Sequence, residues 1–147
     1  MGIFYQEGRE GIYEPKTDAD LFILDRLIKE AKKEMGWSKL YDVHAKILFS
    51  KGEAMGYINY TESEKSVRFT GLPRQTLLQI FIRKKFRGHG FGQALVEDFL
   101  NHFPNGTVII ADPNDDMFKL LKKMGYVIES YNGWVMSNPK RLFFCHM

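Results

Sequence analysis

The sequence predicts a single α/β (α+β) domain, residues 1–147, in which helices pack against a mixed β-sheet. Three observations support this fold class. The chain has 147 residues, of which 44% are apolar, enough for one hydrophobic core of ordinary composition. The first half contains a helix pattern followed by a hairpin pattern. The second half alternates apolar strands with amphipathic helices, an order that requires at least one parallel strand pair.

The first half of the chain predicts a strand, a helix and a hairpin. The strand lies near Gly11 to Glu14, and the helix begins after Thr17, whose hydroxyl can cap it. Gly36 marks the end of this helix. Two β-rich runs, residues 43–49 and 54–60, flank a short glycine-containing loop and predict an antiparallel pair. The predicted core-facing stripe of the helix is Leu21, Leu24, Leu27, Ile28, Ala31 and Met35.

The second half predicts alternating strands and helices. An almost wholly apolar run over residues 76–82 is typical of a strand buried on both faces. From Gly92 the apolar period becomes that of a helix, which Pro104 ends. Residues 107–111 are a second apolar strand, and the amphipathic helix after it stops at Gly125. The last predicted element is a hairpin of residues 126–131 and 134–137 around Asn132-Gly133.

Composition and charge exclude several classes of protein. No apolar run approaches the ~20 residues of a membrane helix, and we expect no signal peptide at the N-terminus. A formal net charge of +3 is too mild to indicate nucleic-acid binding. The single cysteine, Cys145, excludes a disulfide framework, so we expect a cytoplasmic protein. The histidines lie too far apart to predict a metal site: His44, His89, His102 and His146.

The residues that carry chemistry follow the strand of residues 76–82. A basic turn, residues 83–87, leads to three glycines, Gly88, Gly90 and Gly92, at the start of a helix. Glycine permits positive φ angles and lets a ligand approach the main chain. Because the amides at a helix N-terminus favour an anion, this segment predicts a pyrophosphate cradle. The sequence contains neither the dinucleotide-binding pattern G-x-G-x-x-G nor the phosphate loop G-x-x-x-x-G-K-[ST].

This segment resembles the central signature of the GNAT superfamily of acyl-CoA-dependent N-acetyltransferases, a strand followed by [QR]-x-x-G-x-[GA] at the start of a helix. Arg87-Gly88-His89-Gly90-Phe91-Gly92 matches every defined position. Ile82 stands where the family usually has Val, and Phe86 where it has an aromatic residue. A second family pattern, Asn followed by a helix that ends in Gly-aromatic, is matched by residues 114–126. The resemblance runs clearly from about residue 77 to residue 126.

The resemblance implies a fold, a co-substrate and a set of binding residues. The fold is a mixed, mostly antiparallel sheet with a parallel, splayed central pair and flanking helices. The co-substrate is acetyl-CoA, with its pantetheine on the backbone of the fourth strand and its pyrophosphate on the loop amides. The implied cofactor-binding residues are Ile80, Phe81, Ile82, Arg87, Gly88, His89, Gly90, Phe91, Gly92, Asn114, Phe118 and Leu121.

The resemblance also implies direct transfer of the acetyl group to a primary amine of a small molecule or peptide. In such sites a neutral amine attacks the thioester while both reactants are held together. Many members place a Tyr seven residues after the Asn to protonate the sulfur, and here that position is Leu121. The fourth strand carries Gln79 rather than a carboxylate, which leaves Asp112 as a candidate base. Tyr60 and Tyr126 are candidate acids.

Other readings stay open at this stage. Because Leu121 cannot donate a proton, the chain could bind acyl-CoA or regulate without efficient transfer. Residues 87–91 share the start of the RRM octamer of RNA-binding modules, but that octamer lies on a strand and these residues lead into a helix, so we do not expect a nucleic-acid partner. Residues 83–85 are either a solvated turn or a contact to the ribose phosphate. Small folds of this kind often pair through sheet edges, which leaves a homodimer open.

Overall fold

The computed structural model describes residues 2–36, 43–66, 73–102, 107–111, 115–130 and 141–145. Within these residues, no helix combines the length and the apolar character needed to cross a membrane. The elements in chain order are β1 (Gly11–Tyr13), α1 (Asp18–Met35), β2 (His44–Ser50), β3 (Glu53–Ser66), β4 (Pro73–Ile82), a 3₁₀ turn (Lys84–Phe86), α2 (Phe91–His102), β5 (Thr107–Ala111), α3 (Asp115–Lys123), β6 (Val127–Ser130) and β7 (Arg141–Cys145).

The strands form one sheet in the order β1-β2-β3-β4-β5-β7-β6. Strands β1 and β2 are antiparallel, and β2 connects to β3 through a tight turn at Lys51 and Gly52. Both turn residues have positive φ, 52° and 80°, the backbone pattern of a type I′ hairpin. The predicted antiparallel hairpin of residues 43–49 and 54–60 is therefore confirmed.

The other side of the sheet is parallel. Strands β4 and β5 pair in parallel from Arg74–Thr107 to Leu77–Ile110, which confirms the predicted mixed sheet with a parallel central pair. The pairs β5–β7 and β6–β7 are parallel as well. The sequence predicts an antiparallel partner for β6 at residues 134–137, which lie outside the described residues. The predicted hairpin therefore stays a prediction. The structure pairs β6 in parallel with β7, a strand that the hairpin pattern did not include.

The chain forms two compact units that both draw on β3 and β4. The first comprises Met1–Asn59 and Gln79–Asp98, and the second comprises Tyr60–Leu78 and Phe99–Met147. In the second unit, Tyr60 packs on Phe99 with ring centroids 5.2 Å apart. Its buried apolar side chains are Tyr60, Leu77, Phe99, Val108, Ile110 and Leu121.

Helix α1 has the ends that the sequence predicts. The Thr17 hydroxyl accepts a hydrogen bond from the Asp20 amide at 3.1 Å, and the Asp20 carboxylate accepts one from the Thr17 amide at 3.4 Å. This reciprocal arrangement is a capping box. At the other end Gly36 adopts φ 80° and donates to the Lys32 carbonyl at 2.8 Å. The predicted cap at Thr17 and stop at Gly36 are both confirmed.

The buried face of α1 differs from the predicted stripe. Ile23 is buried, at 2% exposure, whereas Leu21 is 52% exposed and Met35 is also exposed. The first turns read Leu21-Phe22-Ile23-Leu24, and four consecutive apolar residues do not show by their spacing which one faces the core. The core of the first unit comprises Ile23, Leu27, Ile28, Ala31, Ile47, Phe49, Ala54, Tyr57 and Phe81.

Candidate functional site

The glycine loop after β4 has the backbone conformation that the sequence predicts. Gly88 and Gly90 have φ of 84° and 83°, in the left-handed region that favours glycine. A Cβ at either position would have no heavy atom within 4 Å. These glycines are therefore required by the backbone angle and not by lack of space.

The loop delivers main-chain amides to one end of α2. The first helical bond runs from the Ala94 amide to the Gly90 carbonyl at 3.1 Å. The amides of Phe91, Gly92 and Gln93 therefore belong to the first turn, whose N–H groups have no intrahelical acceptor. Alternating left-handed residues curl successive amides toward a common concavity, which suits an anion. The first turn carries no acidic residue, so the donor set fits a diphosphate.

The backbone N–H and C=O groups at the end of β4 point toward either one edge of the strand or the other. The Arg83 amide donates to the Met55 carbonyl at 2.9 Å, and the Phe81 carbonyl lies so close to Gly56 that a Cβ there would stand 2.0 Å from it. Both groups therefore point toward β3. Because successive peptide groups alternate along a strand, the groups of Ile80 and Ile82 face the opposite edge.

Within the described residues, the ladder between the opposite edge of β4 and β5 covers the first part of β4. It runs from Arg74–Thr107 to Leu77–Ile110, and Ile80 and Ile82 come after it along the strand. This is the strand segment that the sequence assigned to the pantetheine amides. Its carbonyl at Ile82, however, accepts a hydrogen bond from Arg87 Nε at 2.8 Å. Ile80 remains a predicted backbone partner of the pantetheine arm. The carbonyl of Ile82 already accepts a hydrogen bond from within the protein.

Arg87 is engaged with the protein through both its side chain and its amide. Its Nη1 and Nη2 lie 2.6 and 2.8 Å from the two carboxylate oxygens of Glu34. The hydrogen bond from Arg87 holds the pKa of Glu34 below its ordinary value. The Arg87 amide donates to the Lys84 carbonyl at 3.4 Å. Of the loop amides predicted to hold the pyrophosphate, this one already has an acceptor.

Arg83 is buried, which neither prediction for the basic turn anticipated. The side chain donates to Glu53 at 2.9 Å and to the Ala54 carbonyl at 3.2 Å, and it stacks over Phe4 at 4.0 Å from the ring centroid. Only 8% of the residue is exposed. The solvated turn and the ribose contact are therefore both wrong for Arg83, because carboxylates and an aromatic ring surround it.

Lys84, Lys85 and His89 are exposed, as is the paired Arg87. Lys85 lies 5.0 Å from the Phe86 ring centroid. The His89 and Phe91 rings are 6.3 Å apart. Residues 87–90 form a turn and Phe91 begins α2, so the start of the octamer does not lie on a strand. The strand placement that the RNA-binding octamer requires is therefore not found at these residues.

A buried polar pair lies on β3 and β4 at the entrance to the same strand segment. Tyr57 donates to Gln79 Oε1 at 2.6 Å, and both side chains are buried. Burial raises the pKa of Tyr57 far above its ordinary value, so the phenol stays protonated. Gln79 Nε2 finds no hydrogen-bond partner among the described residues. The sequence singled out Gln79 but not Tyr57, since a strand tyrosine reads as ordinary core.

The other predicted site residues lie elsewhere or are not described. Phe118 and Leu121 are on α3 in the second unit, where Leu121 is 1% exposed and Phe118 is half-buried. The Leu121 carbonyl accepts from the Tyr126 amide at 3.0 Å. The predicted positions Asp112 and Asn114 fall outside the described residues. The roles of these four residues remain predictions.

The glycine loop, the α2 terminus and the half-paired β4 define an acetyltransferase-type fold. The sequence profile described as Acetyltransferase (GNAT) family matches residues 11–126. The chain therefore belongs to the GNAT acetyltransferase family.

Solved structures share this fold at low sequence identity. An integron cassette protein from the Cole Harbour salt marsh metagenome superposes with a TM-score of 0.62 at 17% identity, covering 86% of this chain and 88% of that one. A Trypanosoma brucei acetyltransferase has a TM-score of 0.58 at 16% identity, with 78% and 90% covered. Arabidopsis thaliana NAA60, in complex with a bisubstrate analogue, has a TM-score of 0.59 at 16% identity, with 78% and 83% covered.

Proposed function

We propose that this chain binds acetyl-CoA and transfers its acetyl group to a primary amine on a small molecule or peptide. The observation that carries the proposal is the glycine loop, in which Gly88 and Gly90 direct amides toward the first turn of α2. Membership of an acetyltransferase family supports the same assignment. The single cysteine is typical of a reducing compartment, so we place the activity in the cytoplasm.

Each part of the site has a proposed task. The amides of residues 88–93 hold the diphosphate, to which they present N–H groups and the positive end of the α2 dipole. The backbone of Ile80 binds the pantetheine arm, and the Ile82 amide extends this set. The sequence also predicts Phe81 in this role, but its carbonyl points toward β3, so Phe81 is left out of the proposed set. Asn114, Phe118 and Leu121 line the arm near the thioester.

The proposed reaction forms a C–N bond and breaks a C–S bond. The neutral amine nitrogen attacks the thioester carbonyl carbon, whose oxygen takes up negative charge near a strand amide. The electron pair then returns, and the thiolate of CoA leaves. The amine proton goes to a base, for which Asp112 is the proposed candidate, and the thiolate takes a proton from solvent because Leu121 has none to donate.

Two measurements test this proposal in order. Calorimetric titration with CoA and acetyl-CoA should give saturable binding, and the Gly90→Val variant should bind more than about tenfold more weakly. A free-thiol assay over a panel of primary amines should then show thiol release above the hydrolysis rate for at least one amine. Absence of any binding at millimolar CoA would refute the cofactor assignment.

A second candidate function is acyl-CoA binding without efficient transfer. It is favoured by Leu121, which stands where many relatives place the tyrosine that protonates the sulfur. The same two measurements separate the candidates: saturable binding together with thiol release that no amine increases would select the binding function.

A further inference from the structure

The guanidinium of Arg87, although half-exposed, is held by other groups of the protein at three points. Its two terminal nitrogens contact the two Glu34 oxygens at 2.6 and 2.8 Å, and its Nε donates to the Ile82 carbonyl at 2.8 Å. A pair of parallel arginine–carboxylate bonds fixes direction as well as distance. The third bond closes the turn between the end of β4 and the glycine loop. Arg87 therefore ties the first residue of the loop to two other elements.

We propose that Arg87 is a positioning residue of the phosphate loop and that its guanidinium stays with Glu34 when the diphosphate binds. This inference rests on the proposed function, which assigns the diphosphate to the loop. If the guanidinium turned to a phosphate, Glu34 and the Ile82 carbonyl would both lose their donor. Three charge-assisted bonds within the protein would have to be broken to form contacts to the ligand.

A second arginine attaches the same turn to the same helix. Arg83 Nε lies 3.6 Å from Glu30, which precedes Glu34 by one turn of α1. Within the turn, the Phe86 amide donates to the Arg83 carbonyl at 2.8 Å. Both ends of residues 83–87 thus form ion pairs with α1, of which the Arg87–Glu34 pair is the closer. Because Arg87, the residue before the loop glycines, is held in place, less conformational entropy is lost when a ligand binds.

The two ion pairs also change the charge that the loop offers. The basic run contains four cations, and Arg83 and Arg87 are each paired with carboxylates of α1 or β3. Lys84 and Lys85 are exposed. The attraction for a diphosphate therefore comes from the amides and these lysines. Removing the Glu34 charge therefore has two opposite effects on CoA affinity. It removes a negative charge near the ligand, which favours binding, and it loosens the loop, which should weaken binding more.

The first test depends on these two effects changing CoA affinity in opposite directions. Titration calorimetry with CoA should show about fivefold weaker binding for Glu34→Gln, the equivalent of losing a partly exposed bidentate ion pair. If Arg87 instead contacted the phosphates, the variant would release the guanidinium and bind CoA equally well or more tightly, which would overturn the proposal. Asp25→Asn is the matched control, since Asp25 pairs with Lys29 at 3.0 Å on the same helix and should leave CoA affinity unchanged.

Exchanging the charges of Glu34 and Arg87 gives a recovery of binding that a general loss of structure would not produce. Arg87→Glu should weaken CoA binding by more than about tenfold, and the double variant Glu34→Arg/Arg87→Glu should recover about threefold of it, because the ion pair forms again in reverse. No recovery would overturn the positioning role.

A measurement without ligand separates failure of this inference from failure of the proposed function. NMR order parameters of the Gly88 and Gly90 amides should fall in Glu34→Gln and rise again in the double variant. If the wild-type protein does not bind CoA, the proposed function fails and these order parameters alone decide whether Arg87 positions the loop. Unchanged order parameters would overturn it.

Discussion

Arg83 and Arg87 stand four residues apart in one basic run, and the fold gives them different surroundings. Arg83 is buried among Phe4, Glu53 and the Ala54 carbonyl. Arg87 is half-exposed and paired with Glu34. In the sequence both are cations before a phosphate loop, since local charge does not show which distant carboxylates will be brought close.

At Gly90 the backbone angle makes a sharp prediction. Gly90→Val should weaken CoA binding by more than about tenfold, because a β-branched residue at φ 83° carries strain of about 1–2 kcal/mol and turns the loop amides away from the ligand. Titration calorimetry with CoA measures the change. Gly8→Val is the matched control: Gly8 has φ 80° and, as at Gly90, an added Cβ would have no heavy atom within 4 Å, but Gly8 lies outside the loop. The control should keep binding, and equal losses in both variants would contradict the argument.

Strands β3 and β4 are in close backbone contact at Gly56, where no side chain separates them. A Cβ at Gly56 would lie 2.0 Å from the Phe81 carbonyl and 2.9 Å from Ile82 Cδ1. The backbone of β4 would have to move, because a carbonyl cannot rotate out of the way as a flexible side chain can. Gly56 therefore fixes the position of the strand segment assigned to the pantetheine arm.

Gly56→Ala should accordingly lower the free energy of unfolding by about 1–3 kcal/mol, the usual range for overpacking. Denaturant unfolding measures this loss, and CoA titration should show weaker binding in the same variant. For stability, Gly92→Ala is the comparison, since it should be neutral or stabilising in a helix. A stable Gly56→Ala variant with unchanged affinity would contradict the close approach.

The N-terminus of α1 depends on one carboxylate. Burial alone would raise the pKa of Asp20, but hydrogen bonds from the Lys16 amide, the Gln6 side chain and the Thr17 amide, together with the charge of Arg9, hold that pKa below its ordinary value of 3.8. A lowered folded-state pKa means that this stabilisation is complete above 3.8 and is lost as the pH falls through the folded value.

Asp20→Asn should therefore be less stable than the wild type near neutral pH, by about 1–2 kcal/mol. The difference should shrink as the pH falls below about 4, because the wild type then loses its carboxylate. Urea unfolding at a series of pH values measures the two curves. Parallel curves over the whole range would show that Asp20 does not supply the acid sensitivity.

For the whole molecule, co-substrate binding and stability are linked. A ligand that binds only the folded chain at about 100 times its dissociation constant stabilises it by about 2.7 kcal/mol. For a chain of this length we expect CoA to raise the Tm by about 5–10 °C. A thermal scan at increasing CoA concentration measures the shift, with adenosine as a control that lacks the diphosphate. A Tm independent of CoA would contradict the site assignment.

Most of the architecture was predictable because it depends on local signals. Thr17 and Gly36 mark the ends of α1, and Lys51-Gly52 forms the tight turn of the β2–β3 hairpin. The stripe of α1 was partly wrong, since Leu21 and Ile23 belong to one apolar run and only packing selects between them. The pairing of β6 with β7 was not predicted, because strand pairing over a distance leaves little trace in local sequence.

By itself the sequence determined the glycine loop: Gly88 and Gly90, ahead of an amphipathic helix, permit left-handed backbone, and the start of the helix leaves its first amides without an intrahelical acceptor. Tertiary structure alone decided the partners of the loop. It placed Glu30 and Glu34 beside Arg83 and Arg87, seated Tyr57 against Gln79, and brought Gly56 under the Phe81 carbonyl. The physical reason is range: backbone angles are set by neighbouring residues, whereas ion pairs and close approaches join residues that only the folded chain brings together.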